Sequence, residues 1–567
     1  MTPCVPIGRS GHLASPRTKE GLVSGSSRKK SSARSSSNSN LQASISSSSP
    51  STSTSSPPPR VEITVAQSIS EVSAAEWDAL VRAQTEYNPF VSHAMLDSFE
   101  SSGSAAPSRG WLPHHLVARE VETGKLVGAA PLYLKGHSRG EYVFDQGWAD
   151  ASHRMGVGYY PKAVGAVPFS PVTGPRLLAV DISSTAAATA ATAKATATAT
   201  ANTTASPTTT TTASADSVRL ALADALVELS TSKETGGRVS GAHVLFCSED
   251  DAAALAATGS FKQRLGLQYH WFNRKGGPHA SSVASSMSLS FSASDVSAAS
   301  STSEEGESDP SSSLLYSSFE DFLSSLRQSK RKLVRQERKR ALSSPSSAAP
   351  FLTVSRVRGT DLRSDELAAF YDFYVDTCER RWGEDYLTKS FFLNLGENPD
   401  VMMVLASEPA TTEIEARRKK VSEEDGLRAR RVIETASTAA PVSPPFTPFG
   451  PRGRALAGAL NLVGSHALFG RNWGCDPRVR DVPFLHFELS YYQAIEAAIE
   501  AGLPRVEAGA QGEHKIARGY VPTFTRSMHC LREPNLDAAV AQFLRSEARE
   551  VEYVLEAMSA QMSPYKK

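Results

Sequence analysis

The densest set of reactive groups in this sequence is the segment Glu507-Ala-Gly-Ala-Gln-Gly-Glu-His-Lys515. Gly509 and Gly512 lack a Cβ, so backbone N–H groups there can come close to a ligand. Gln511 can donate to a carbonyl, and Glu513 or His514 can accept a proton from an amine. Lys515 can neutralise a phosphate or a developing oxyanion. The plain alternative is a strand-to-helix turn with solvated charges; so many polar groups among glycines favour a site. A second candidate pair is His486 and Glu488 in Phe484-Leu-His-Phe-Glu488, at the start of an otherwise apolar helix. They can be tuned groups in a pocket. Equally, Glu488 can simply complement the helix dipole while His486 packs in the core.

Further candidates flank these. Arg471-Asn-Trp-Gly-Cys-Asp476 and Asp145-Gln-Gly-Trp148 read as equivalent strand ends, so Arg471, Trp473, Asp476, Asp145 and Trp148 can line a cleft or serve as core aromatics with capping acids. Arg380 and Arg381 close a helix, where they can bind phosphate or carboxylate or complement the helix end. Ser329 to Arg340 holds seven basic residues and one acid, Glu337. Lys330, Arg331 and Arg335 in it can clamp an anion such as tRNA, coenzyme A or a phosphorylated precursor. The same run can also be a solvated helical face or a nuclear localisation signal. The five cysteines show no paired or metal-ligand spacing, so no metal is expected and buried thiols in a reducing compartment are.

These residues sit on alternating strands and helices. His115–Arg119 and Leu126–Leu134 read as a hairpin around Thr123-Gly124-Lys125, with Glu141–Trp148 as a third strand. Val218–Leu229 has helical spacing, and His243–Cys247 and Gln268–Asn273 are short strands. The second half has a helix at Glu366–Trp382, a strand at Val401–Ala406 and a hairpin of Ala455–Val463 with Ala467–Cys475. A helix over Phe484–Ala501 ends at Gly502 and Pro504; strands at Arg505–Ala508 and Thr523–Leu531 follow. Leu126–Ala130 echoes Leu456–Leu460, Glu141–Trp148 echoes Leu468–Trp473, and Tyr159-Tyr160 echoes Tyr491-Tyr492. In that order they suggest two copies of one α+β unit.

The 567 residues carry 60 Lys and Arg against 59 Asp and Glu, a formal charge of +1. That balance excludes a globally basic nucleic-acid coat, and stable DNA binding is not expected. No apolar run is long enough to span a membrane. The expected organisation is a tail or organelle transit peptide at 1–60, a first domain at 61–275 with an Ala/Thr-rich insertion at 181–215, and a Ser-rich linker at 276–313. A basic amphipathic helix at 314–350 and a second domain at 351–562, with an insertion at 407–454, complete it.

Several motifs together resemble one family. They include Asn88-Pro-Phe-Val-Ser-His93, Gly128-Ala-Ala-Pro-Leu-Tyr-Leu-Lys135 and Val167-Pro-Phe-Ser-Pro-Val-Thr-Gly-Pro-Arg176. Tyr159-Tyr-Pro-Lys162, His270-Trp-Phe-Asn273, Phe484–Glu488 and Glu507–Lys515 add to them. The chain resembles the FemAB-like peptidoglycan biosynthesis/recognition family of the GNAT (acyl-CoA N-acyltransferase) superfamily. The resemblance implies an α+β fold of tandem GNAT-like domains, each a mixed, mostly antiparallel sheet flanked by helices. It implies transfer of an acyl or aminoacyl group to a small-molecule or peptide amine, or, as the rival, a recognition module without turnover. No permanently bound cofactor is expected; the donor is acetyl-CoA or aminoacyl-tRNA. Lys515-Ile-Ala-Arg-Gly519 keeps the Lys and Gly spacing of the Fem-type Phe-Lys-x-x-Phe-Gly element, but His514 and Arg518 replace its aromatics. Residues 1–60 hold eight basic residues and one acid, Glu20. A bacterial-type family behind such a Ser-rich start points to a plastid, with mitochondrion or cytoplasm as alternatives.

Overall fold

The computed structural model describes residues 61–182, 214–231, 239–275, 315–342, 352–381, 384–408, 452–509 and 512–566. The segment 1–60, Gln511, and most of the biased stretches 181–215, 276–313 and 407–454 lie outside the described residues.

The strands are β1 (Val61–Ala66), β2 (Trp111–Pro113), β3 (His115–Glu120), β4 (Leu126–Ala130), β5 (Leu132–Lys135), β6 (Lys162–Gly165), β7 (Leu178–Ala179), β8 (Gly241–Val244) and β9 (Lys262–Phe272). They continue with β10 (Thr353–Arg358), β11 (Val401–Ser407), β12 (Ala455–Val463), β13 (Ala467–Cys475), β14 (Arg505–Glu507) and β15 (Val521–Leu531). A small sheet has the order β1-β3-β4-β7; a large one runs β10-β11-β12-β13-β14-β9-β15-β8-β6-β5-β2. The residues of β11 are all buried, which is why their sequence is a continuous apolar run rather than an alternation.

The large sheet has two parallel pairs, β6 with β8 and β13 with β14. Each pairs over three residues, and then the backbone hydrogen bonding stops. Between them lie β9 and β15, antiparallel from Val521↔His270 to His529↔Lys262. β9 comes from the first half of the sequence and pairs with β14 of the second; β15 comes from the second and pairs with β8 of the first. The two halves thus exchange strands.

Beyond the first parallel pair the gap is filled. Phe169 and Phe246 are buried there, and the Phe169 ring packs on Trp111 at 5.1 Å and on Tyr386 at 5.3 Å. The motif Val167–Arg176 forms this filling. The Thr173 hydroxyl donates to Glu507 Oε1 at 2.6 Å, and the buried Arg176 guanidinium donates to the Val172 and Pro175 carbonyls. Next to it Lys162, fully buried, donates to Glu141 at 2.7 Å and also to Asp145. Burial pushes the Glu141 carboxyl up to about 7, against the pull of Lys162.

Three expectations are corrected. Glu141–Trp148 is not a strand: a loop leads into the helix Gln146–Arg154, because Glu141 and Asp145 turn inward to Lys162. Asp145 and Trp148 are therefore not at a strand end equivalent to Arg471–Asp476. Tyr159-Tyr160 precede β6, whereas Tyr491-Tyr492 lie in a helix, so that echo has no structural counterpart. The amphipathic helix before the basic run is two helices, Phe319–Ser325 and Gln328–Leu342, separated at Leu326, which bridges to Tyr565.

Candidate active site

The second parallel pair stays open. β13 runs on to Cys475 after β14 has ended at Glu507, and a cavity of about 1040 Å³ opens there. Arg471, Asn472, Trp473 and Cys475 of β13 line its wall, the strand being bulged between Gly470 and Trp473. Gly509 contributes from the turn after β14, and His486 and Phe487 from the helix that crosses over. The far wall is the first half's Tyr142, Phe144, Phe169 and Phe246. Among the described residues four non-glycines have positive φ: Tyr142 (58°), Phe169 (54°), Phe246 (53°) and Phe484 (64°). All four are aromatic and all four line this cavity. Bulky residues rarely adopt that backbone, and such strain concentrates where a site demands it.

The rings form a continuous wall. Trp473 lies 5.1 Å from His486, and His486 lies 5.3 Å from Tyr491. Burial and the neighbouring charges of His514 and Arg381 push His486 down to about 3, so it is neutral at any physiological pH. No hydrogen-bond partner holds its ring nitrogens among the described residues. The helix bearing it, Leu485–Glu500, contains a π-helical segment at Glu488–Tyr492. Such insertions re-aim side chains and recur at functional sites.

Glu513, His514 and Lys515 stand beside the cavity wall, on the 3-10 segment Glu513–Arg518. Lys515 is 2% exposed, and its ammonium donates to the carbonyls of Ala508 at 2.6 Å and Gly509 at 2.9 Å. Burial lowers its pKa to about 7. Glu513 is exposed. His514, also at the surface, meets the Tyr491 hydroxyl through Nε2 at 3.0 Å and stacks on Phe487 at 5.4 Å; burial and Arg518 lower it to about 4. Gly512 has φ 114°, and a Cβ there would stand 2.4 Å from the His514 ring, so only glycine fits.

Glu488 does not reach the cavity. It is wholly buried and paired with Arg338 at 2.9 Å. Arg338 and Glu337 come from the helix Gln328–Leu342, and Glu337 holds Arg518 at 2.6 Å and the Tyr492 hydroxyl. Arg518 in turn lies 3.6 Å over Phe487, which also stacks on His514. Thus Phe487 supplies an aromatic surface to both residues that replace the Fem-type aromatics. The basic helix acts as a brace behind the site. Lys330, Arg331 and Arg335 stand apart from the cavity, with Arg335 on surface Glu320 at 2.5 Å. Asp476 caps the turn Pro477–Val479 and pairs with Arg478, outside the lining. Asp145 is held by Lys162, and Trp148 packs on His529 of β15 at 4.9 Å in a cluster with Leu531 and Leu536; neither lines the cavity. The sequence reading left Tyr491 and the cavity arginines Arg139, Arg264 and Arg480 without a role. Scattered over three segments, these arginines give no local signal.

Among the described residues no group of three or more His, Cys, Asp or Glu is placed to hold a metal. No described helix is long and apolar enough to cross a membrane.

The mixed, mostly antiparallel sheet with two parallel pairs and flanking helices is the tandem GNAT-like α+β architecture that the resemblance implies. The FemAB-like family, described as peptidoglycan biosynthesis/recognition, matches residues 68–220, 302–421 and 450–567, and the chain belongs to it. Among solved structures the chain is similar to FemX, at 13% identity and TM-score 0.40, covering 82% of this chain and 97% of that one. It is also similar to a tandem GNAT protein from the clavulanic acid biosynthesis pathway, at 11% identity and TM-score 0.33, covering 84% and 99%. A third is the C-terminal domain of a putative lysylphosphatidylglycerol synthetase from Agrobacterium fabrum, at 10% identity and TM-score 0.30, covering 59% and 77%. No curated protein sequence matches the chain significantly.

Proposed function

We propose that the cavity beside β13 and β14 joins an aminoacyl group from aminoacyl-tRNA to an amine of a peptidoglycan-type peptide. The observation that carries the site is His486: neutral, without a hydrogen-bond partner among the described residues, and facing an open cavity of strained aromatics. The acceptor nitrogen attacks the acyl carbonyl. A C–N bond forms, the C–O bond to the donor breaks, and one nitrogen proton ends on the leaving oxygen. His486 accepts a hydrogen bond from the amine and so aims its lone pair. Its low pKa makes any imidazolium a strong acid that hands the proton on to the leaving group. Lys515 is a positioning residue: its ammonium draws the carbonyls of Ala508 and Gly509 together and adds positive potential beside the developing oxyanion.

The basic helix supports a tRNA donor. Lys332, Arg335 and Arg340 on it are exposed, where they can meet phosphates without entering the cavity. Two units of GNAT type, at 61–275 and 351–562 with β9 and β15 exchanged, complete the reading. The Ser- and Arg-rich, acid-poor residues 1–60 support plastid residence; a fluorescent fusion of that segment that stayed in the cytosol would remove it.

The test uses the full chain, aminoacyl-tRNA and acetyl-CoA as alternative donors, and a muropeptide amine. His486→Phe is expected to lose roughly 10²- to 10⁴-fold in kcat/KM, the range for a positioned acid–base group. Unchanged transfer by that variant overturns the site, and transfer from acetyl-CoA alone overturns the tRNA donor.

A further inference from the structure

Six arginines line the cavity: Arg139, Arg264, Arg380, Arg381, Arg471 and Arg480. Four are matched by carboxylates. Arg139 meets Glu384 at 2.7 Å, Arg264 meets Glu547 at 2.7 Å, and Arg380 and Arg480 both meet Asp376, at 2.6 and 2.8 Å. Arg471 and Arg381 have no carboxylate partner among the described residues. Arg471 gives one N–H to the Phe169 carbonyl and lies 5.8 Å over the ring of Tyr142, one of the strained residues. Its guanidinium has five donors, and this environment fixes its plane while leaving the others for a ligand.

Both groups reach the same cavity. Arg471 enters it from the bulged stretch of β13, as does Trp473, which packs on His486. Arg381 ends the helix Ser364–Arg381, and its charge acts on His486 and on Tyr491. Simple complementation of the helix end does not explain why it also lines the cavity. Nor is the lining neutral among the described residues: its arginines outnumber its carboxylates Glu384, Asp481 and Glu547, of which Asp481 alone has no arginine partner, and Asp376 serves two of the arginines.

We propose that Arg381 and Arg471 form an anion seat for a carboxylate carried by the amine acceptor next to its reacting nitrogen. The acceptor is then an amino-acid-type amine, such as the free end of a diamino-dicarboxylate side chain, rather than a simple alkylamine. This rests on the cavity being the transfer site. A guanidinium fork fits a carboxylate or a phosphate equally well, so the chemistry is an oxyanion and the test must separate its sources.

Binding, not turnover, is the readout, which keeps the seat separable from the catalytic reading. The full chain is titrated with two tripeptides, L-Ala-γ-D-Glu-meso-diaminopimelate and L-Ala-γ-D-Glu-L-Lys, which differ only in the carboxylate beside the terminal amine. The expected result is at least tenfold tighter binding of the first. That preference should vanish in the double variant Arg381→Gln, Arg471→Gln and persist in Lys515→Met and His486→Phe. Inorganic pyrophosphate is the third probe. Equal binding of both tripeptides, or a preference that survives the double variant, overturns the proposal. So does tight, arginine-dependent binding of pyrophosphate with no discrimination between the tripeptides, which would make the seat a phosphate site. If His486→Phe is fully active while the preference stands, the transfer reading fails and the seat does not. A circular dichroism spectrum of each variant separates lost binding from lost folding.

Discussion

The two parallel strand pairs start from the same backbone and end differently. Beyond β6 and β8 the opening is packed with Phe169 and Phe246, and the nearby Lys162 has both of its carboxylates, Glu141 and Asp145, within reach. Beyond β13 and β14 the opening holds Arg471, Trp473 and Gly509 around a cavity, and the nearby Lys515 has only two carbonyls. One half satisfies its own charges and fills its own gap. The other leaves both open. A duplicated architecture can therefore carry one working site, with the filled copy serving as its wall.

This contrast predicts opposite outcomes for matched substitutions. The largest effect on stability belongs to Lys162→Met. It strands two buried carboxylates and should cost about 3–5 kcal/mol, the usual result of breaking a buried ion pair from one side. Chemical denaturation measures it; a loss below about 1 kcal/mol would mean that the first half's cluster is not the fixed structure described. Close behind is Phe169→Ala, which empties the filled gap and should cost about 3–5 kcal/mol. Its counterpart Trp473→Ala, on the open side and only half-buried, should cost about 1 kcal/mol while raising the KM for the acceptor. Equal losses from the two would erase the distinction between filled and open.

A subtler difference lies in pH. Unfolded, Lys515 keeps its proton up to about 10.5; folded, it loses it near 7. Between those values the unfolded chain binds more protons, so stability rises with pH across that window, and this group contributes no slope outside it. Subtracting the profile of Lys515→Met isolates the term, because Lys135, buried and lowered to about 7, slopes the same way in both proteins. The smallest expected effect is on rate. kcat/KM should fall as pH rises through about 7 and the ammonium is lost, and Lys515→Arg should move that limb upward. An unmoved limb would assign it to a group other than Lys515.

Much of the second half could be read from local pattern. Ala455–Val463 and Ala467–Cys475 are apolar runs around Gly464-Ser465, and they are β12 and β13 to the residue. Ser364–Arg381 carries its burial at helical spacing. The reading failed where tertiary structure overrode the pattern. Tyr142, Phe144 and Trp148 stand at even positions and imitate a strand, yet the odd-numbered Glu141 and Asp145 face Lys162 rather than solvent. The helix Pro534–Met562 is charge-rich and went unread. In the site, Lys515 and His514 were visible as types, and His486 only as one of two even readings. The cavity arginines meet only in the fold, because they come from segments hundreds of residues apart.

The crossing of β9 and β15 also sets a schedule for the nascent chain. His243 and His529, Nδ1 to Nδ1 at 2.8 Å in adjacent strands, are 286 residues apart in sequence. Until the ribosome has released Val521–Leu531, β8 and β9 each present a bare edge that β15 will later cover. Exposed edges of this kind invite pairing with another chain. Neither half can finish its sheet alone, so a nonsense mutation anywhere before residue 521 spoils the half already made. During synthesis the first half is a client for chaperones rather than a finished domain.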